Sequence, residues 1–171
     1  MPPSLRLSAL TLAQTYLGVH ETGSNTGPEV DEMLRAVGLA PGNPWCAAAL
    51  FAWFSKAAGV IGQMNPCPRT GSSLRVWTLA EPICRDSNPQ PGYVYVLDHA
   101  GGKGHVGIVE SVDANGLVTE ISGNTFAEHG GRAGNCVARH TGYSPEAIHG
   151  GELLGYLDFD RAAQPPPGFN A

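Results

Sequence analysis

The stretch Asn43-Pro44-Trp45-Cys46-Ala47-Ala48-Ala49-Leu50-Phe51-Ala52-Trp53-Phe54-Ser55-Lys56-Ala57-Ala58-Gly59 constrains the fold more than any other part of the chain. Alanines, leucine and aromatics in near-continuous run predict a helix, with Asn43 as N-cap, Pro44 in the first turn and Gly59 as the stop. A helix apolar around most of its circumference must be wrapped by other elements. Cys46 falls in its first turn, where unpaired N–H groups and the positive end of the helix dipole favour an anion. Such a site lowers a thiol pKa from about 8.5 towards roughly 3.5 to 7.5. Cys46 therefore reads either as a nucleophile or as a buried structural cysteine.

Two more helices precede this one. Leu5, Ala9, Leu12, Ala13, Tyr16 and Leu17 recur at helical spacing and stop at Gly18. After a polar loop from His20 to Asn25, Thr26 opens a capping box with Glu29, and Val30, Met33, Leu34 and Val37 form an apolar face up to Gly38. A short helix is expected over Ser72 to Ala80, with Trp77 as a core anchor. From Gly92 the period becomes two. Strands are expected over Tyr93–Leu97, His105–Ser111, Leu117–Ile121, Cys136–His140 and Leu153–Asp158, with a hairpin turn at Asp113-Ala114-Asn115-Gly116. Helices followed by strands predict an α+β fold with helices on one face of an antiparallel sheet. One domain is expected over 1–161, followed by a Pro-rich, extended or disordered tail over 162–171.

A net charge of −5 with only two lysines argues against nucleic acid or an anionic membrane as the main partner. No apolar run is long enough to span a bilayer, so no membrane insertion is expected. The amphipathic Leu5–Leu17 pattern is not a secretory signal, which predicts synthesis in the cytoplasm. Cys46, Cys67, Cys84 and Cys136 fit no zinc spacing, and Cys67 with Cys84 is the nearest pairing for a disulfide.

A nucleophilic cysteine needs a base, and the base needs an orienting group. His105 opens a strand directly after a glycine-rich turn. Folding the hairpin about Asp113–Gly116 pairs residues whose numbers sum to roughly 229 to 231, which sets His105 opposite the region of Asn124. Asn124 is then a polar group able to fix the imidazole tautomer. Glu120 and Ser122 share its parity and could support it. His20, His129, His140 and His149 read as surface or loop residues, and a metal site from Asp98, His99 and His105 lacks a third ligand of suitable spacing.

These residues also carry a family resemblance. Glu21, Gly23, Asn25 and Gly27-Pro28 precede Pro44-Trp45-Cys46-Ala47-Ala48. Gly104-His105-Val106-Gly107-Ile108-Val109, Gly123-Asn124-Thr125 and Leu153-Leu154-Gly155-Tyr156 follow in that order. The chain resembles the CHAP/NlpC-type, papain-like cysteine peptidases and amidases, over about Leu5 to Phe159. The resemblance implies Cys46 as nucleophile, His105 as base and Asn124 as the polar third residue, with Glu120, Ser122 and Trp45 in support. It further implies Glu21 and Asn25 in a loop contacting substrate, no cofactor and no metal. Ser122 stands where many relatives carry glutamate, Tyr93 where an aspartate is common, and the Asp-rich calcium loop of some relatives is missing.

The activity so implied is cleavage of a peptidoglycan amide, the lactyl–L-alanine bond or a stem-peptide bond, through a thiol acyl-enzyme. An antibacterial effector or phage-type lysin is the expected role, acting in the periplasm or wall after release by a holin or a secretion machine. An immunity protein or a secretion-machine component are candidate partners. Two rivals stand beside it: a non-catalytic module of the same fold that binds wall peptide, and a cysteine acyltransferase or deamidase acting on protein.

Overall fold

The computed structural model describes residues 3–163. Helix α1 spans Leu5–Thr15, and the Ser4 hydroxyl caps it by accepting from the Leu7 N–H at 3.2 Å. Helix α2 spans Pro28–Ala36, with proline in its first turn. Its cap differs from the expected Thr26–Glu29 box: Asp31 accepts instead from the Thr26 hydroxyl and the Gly27 N–H. Helix α3, Cys46–Ile61, starts two residues later than an Asn43 cap would place it and runs through Gly59. The left-handed Gly62 ends it, because glycine takes that conformation without a Cβ clash. Helix α4, Ser73–Leu79, is capped by Ser72 as the sequence suggests.

Six strands form one antiparallel sheet: β1 Arg85–Asp86, β2 Val94–Asp98, β3 Gly104–Val112, β4 Val118–Thr125, β5 Cys136–Tyr143 and β6 Glu152–Leu157. Their spatial order is β1-β6-β2-β3-β4-β5. The β3–β4 hairpin pairs Ile108 with Ile121 and Val109 with Glu120, then Ser111 with Thr119 and Val112 with Val118. That is the expected register, with a shift at Glu110. The short β1 and helix α5, Pro145–His149, have no counterpart in the sequence reading. Ala162 and Ala163 pack against the core, so the expected tail does not begin at 162, and residues 164–171 lie outside the described ones.

The sheet has two differently covered faces. Val94, Val96, Val106, Ile108 and Ile121 face the helices and share a core with the buried side of α3. Ala47, Ala48 and Ala49 in the first turns of α3 let its backbone come close to β3 and β4, while Trp53 and Phe54 fill the interior. Full burial of such a large side chain stabilises by about 1.5–3 kcal/mol. On the opposite face Tyr93, Tyr95, Leu97, Val109, Val118 and Tyr156 form a smaller cluster. This is the mixed α+β, papain-like architecture expected, with the Cys46 helix against the sheet. Among the described residues no helix is long and apolar enough to cross a membrane.

Candidate active site

Cys46 is the first residue of α3, and Trp45 precedes it as the cap residue without a side-chain cap of its own. The missing cap is supplied from β4. Asn124 Oδ1 accepts from the Trp45 N–H at 3.2 Å, and Asn124 Nδ2 donates to Gly134 O at 2.6 Å and Asn25 Oδ1 at 3.2 Å. Glu21 completes the frame, accepting from the Trp45 indole N–H at 2.7 Å and from the Asn25 N–H at 2.9 Å. These bonds tie the turn ahead of Cys46 to the β4 end and to the 20–25 loop.

The Cys46 thiol lies 3.2 Å from the Ser73 hydroxyl at the start of α4. Burial pushes its pKa up, against the stabilising influence of Ser73, the backbone N–H groups of Ala47 and Val106, and the Arg132 charge. The expected lowering by the helix N-terminus is outweighed by the cost of charging a sulfur only 6% exposed. Ser73 in turn packs against the start of β3, where a Cβ on Gly104 would lie 3.2 Å from Ser73 Cβ, so it links the thiol to the strand that bears His105.

His105 is completely buried, and neither ring nitrogen has a hydrogen-bond partner among the described residues. Burial drives its pKa well below the usual histidine value, and the neighbouring His149 adds to this. Its ring lies 4.3 Å, centroid to centroid, from that of His149 and 6.3 Å from that of Tyr95. Behind these rings sits Glu120, also fully buried. One oxygen accepts from the Tyr95 hydroxyl at 2.7 Å; the other meets His140 Nδ1 at 2.5 Å, His149 Nε2 at 3.1 Å and the Ser122 hydroxyl at 3.4 Å. Burial pushes Glu120 up, but the bonds from His140 and His149 outweigh it and hold the carboxyl down at about 2. His140 responds oppositely: its bond to Glu120 outweighs burial and raises it.

The fold thus sets Cys46 beside Ser73 at the start of β3, and Glu120 and Ser122 on the face on which His105 lies. Asn124 makes no hydrogen bond to His105. Its φ of 57° and the register shift between Ser122 and Thr125 break the strand parity that aligned it with Glu120 and Ser122. Its side chain reaches the α3 N-terminus instead. Glu21 and Asn25 are engaged in the same frame, with Trp45 fully buried between them and β4. His140 and His149 are buried, 8% and 5% exposed, which corrects their reading as surface or loop residues. The alternation of exposed Arg139, buried His140 and exposed Thr141 on β5 was a period-2 signal for the first, and Ser144-Pro145 marks the start of the short helix carrying the second. Ser73, Tyr95 and Arg132 had no local signal, since each meets the site only through tertiary packing. All four cysteines are free, so Cys67 and Cys84 are not bridged.

A comparison with family profiles matches residues 38–124, just over half of the chain, to the CHAP domain. The match spans Cys46, His105 and Asn124 and ends at the last of these. No curated protein and no solved structure matches the chain. CHAP domains are in general cysteine- and histidine-dependent amidohydrolases of the peptidoglycan-hydrolase kind. With a cysteine heading the buried helix, a histidine at the start of β3 and an asparagine of β4 capping that helix, all within the matched span, the chain belongs to the CHAP domain family.

Proposed function

We propose that this protein hydrolyses an amide bond of peptidoglycan peptides, with Cys46 as nucleophile and His105 as base. The observation that carries the reading is the placing of the Cys46 thiol, through Ser73, at the start of the strand that bears the buried His105, in a site closed to bulk water. A thiol pushed up and an imidazole pushed down are both neutral at pH 7, so His105 is free to accept the proton as the sulfur attacks. The backbone N–H of Cys46, at the head of α3, receives the developing oxyanion. Trp45, Asn124 and Glu21 hold that turn in place. His105 then protonates the leaving amine, and water activated by the same ring hydrolyses the thioester.

Arg132 supports a wall-peptide substrate. Its charge favours the Cys46 thiolate, and its Nε is buried without a partner, a donor suited to a stem-peptide carboxylate. Cys46 and His105 are nearly inaccessible, so groups packed over them shift when substrate enters. Incubation of purified sacculi with the protein, read by mass spectrometry of the released muropeptides, should show one newly opened amide. Cys46→Ala and His105→Ala should each abolish it while leaving the circular dichroism unchanged. Sacculi left intact by folded wild-type protein, or digested equally by Cys46→Ala, would sink the assignment.

A further inference from the structure

On the sheet face opposite α3, Glu120 from β4, His140 from β5 and His149 from α5 turn one donor atom each to a common point. Glu120 Oε1, His140 Nδ1 and His149 Nε2 all lie within 4.8 Å of one another, and all three residues are buried. We propose that this trio is a binding site for a divalent transition-metal ion of the Zn2+ class, tying β4, β5 and α5 together behind His105. Two imidazoles and a carboxylate form the donor set such ions favour over Ca2+ or Mg2+.

A second observation points the same way: the outer atoms of the trio are arranged as those of metal ligands are. His140 Nε2 lies 2.8 Å from Phe126 O, and His149 Nδ1 lies 3.2 Å from Gly131 O. The His140 ring can therefore give its far N–H to the Phe126 carbonyl, which fixes the tautomer with Nδ1 free for a metal, and the Gly131 carbonyl is within reach to do the same for His149. Glu120 Oε2 accepts from the Tyr95 hydroxyl at 2.7 Å, which leaves Oε1 for the ion. The Gly131 N–H also lies 3.0 Å from His149 Nδ1, and in the metal-bound state it gives way to the carbonyl contact.

The spacing is close to what an ion needs. Ligand atoms around a tetrahedral Zn2+ sit about 3.4 Å apart, given bonds of about 2.1 Å. The Glu120 oxygen is 2.5 Å from His140 Nδ1 and 3.1 Å from His149 Nε2, and all three atoms lie within 4.8 Å, so side-chain movements on the order of 1 Å admit the ion. His105, with both nitrogens unpartnered, is buried beside His149, the two ring centroids 4.3 Å apart. An open groove lined by Glu128, His129, Arg139, His140 and Tyr143 leads from solvent to His140 and offers an entry path.

The test uses the full chain carrying Cys46→Ala, so that the thiol cannot act as a competing ligand, stripped with a chelator and titrated with Zn2+ alone. Calorimetry should show one ion per chain, with a rise in melting temperature on binding. His149→Gln should weaken the affinity at least a hundredfold. Tyr95→Phe, which removes only the hydroxyl behind Glu120, should weaken it about ten- to a hundredfold. The melting rise should shrink in the same order, against the metal-free melting point of each variant. Absence of binding in the Cys46→Ala chain overturns the proposal and leaves a proton-only hydrogen-bond network. Binding unchanged in both His149→Gln and Tyr95→Phe overturns it as well, because the ion then sits elsewhere. Should His149→Gln fail to fold, Tyr95→Phe alone decides.

Discussion

Cys46 and His105 owe their protonation states to burial more than to each other. No hydrogen bond joins them, and the thiol's hydrogen-bond partner is the Ser73 hydroxyl, 3.2 Å away. With its pKa raised, the thiol is protonated at neutral pH and its ionised fraction grows as the pH rises. Alkylation of the native protein by iodoacetamide should therefore climb steadily beyond about pH 8.5, the value of an ordinary thiol, with no plateau near neutrality. A rate already saturated at pH 7 would mean a preformed thiolate–imidazolium pair and would contradict the burial argument. Cys67 and Cys84 are also buried with raised pKa values, at about 11 for Cys84, so labelling sites are assigned by peptide mapping.

Between elements, the decisive contact is the approach of β4 to the start of α3. Gly123 has an ordinary φ, yet a Cβ there would lie 2.7 Å from the Trp45 ring and 3.0 Å from Ala49 Cβ. Gly123→Ala forces the strand and the helix apart where Trp45 is already fully buried. Overpacking of this kind costs about 1–3 kcal/mol. We expect a melting temperature lower by several degrees, together with a loss of activity larger than the stability change explains, because the displaced residue adjoins Cys46, the proposed nucleophile. An alanine variant of wild-type stability and rate would show that the interface yields without cost. The same closeness explains the run of alanines in α3: larger side chains there would hold the helix off the sheet.

At the scale of the whole molecule, the proposed chemistry predicts a toxicity that depends on where the protein is put. Production in the cytoplasm should be harmless to a bacterial host, since the wall lies outside the membrane. Production with an added periplasmic export signal should lyse the cells, and Cys46→Ala should cancel the effect. Growth unaffected by full-level periplasmic accumulation of the wild-type protein would move the protein-modifying acyltransferase or deamidase reading to first place. A role as lysin or antibacterial effector rests on this outcome.

The local signals were strong where chemistry and periodicity coincide along the chain. The Trp45-Cys46 start of an apolar helix, the change to period two after Gly92 and the hairpin register about Asp113–Gly116 could all be read directly, because each depends on neighbours in sequence. So could the Trp45-Cys46 and Gly104-His105-Val106-Gly107 motifs that carry the family resemblance. Burial and contacts across the sheet depend instead on which residues the fold stacks together. A turn residue at Asn124 with φ of 57° sent that side chain to the α3 N-terminus, although strand alternation alone put it beside His105. Glu120 gathered His140 and His149, separated from it by 20 and 29 positions, into one buried cluster. Desolvation raised the Cys46 thiol that the helix dipole alone would have lowered. Secondary structure follows from short-range sterics and spacing, whereas the environment of a charge is set by everything packed around it, and only the tertiary structure decides that.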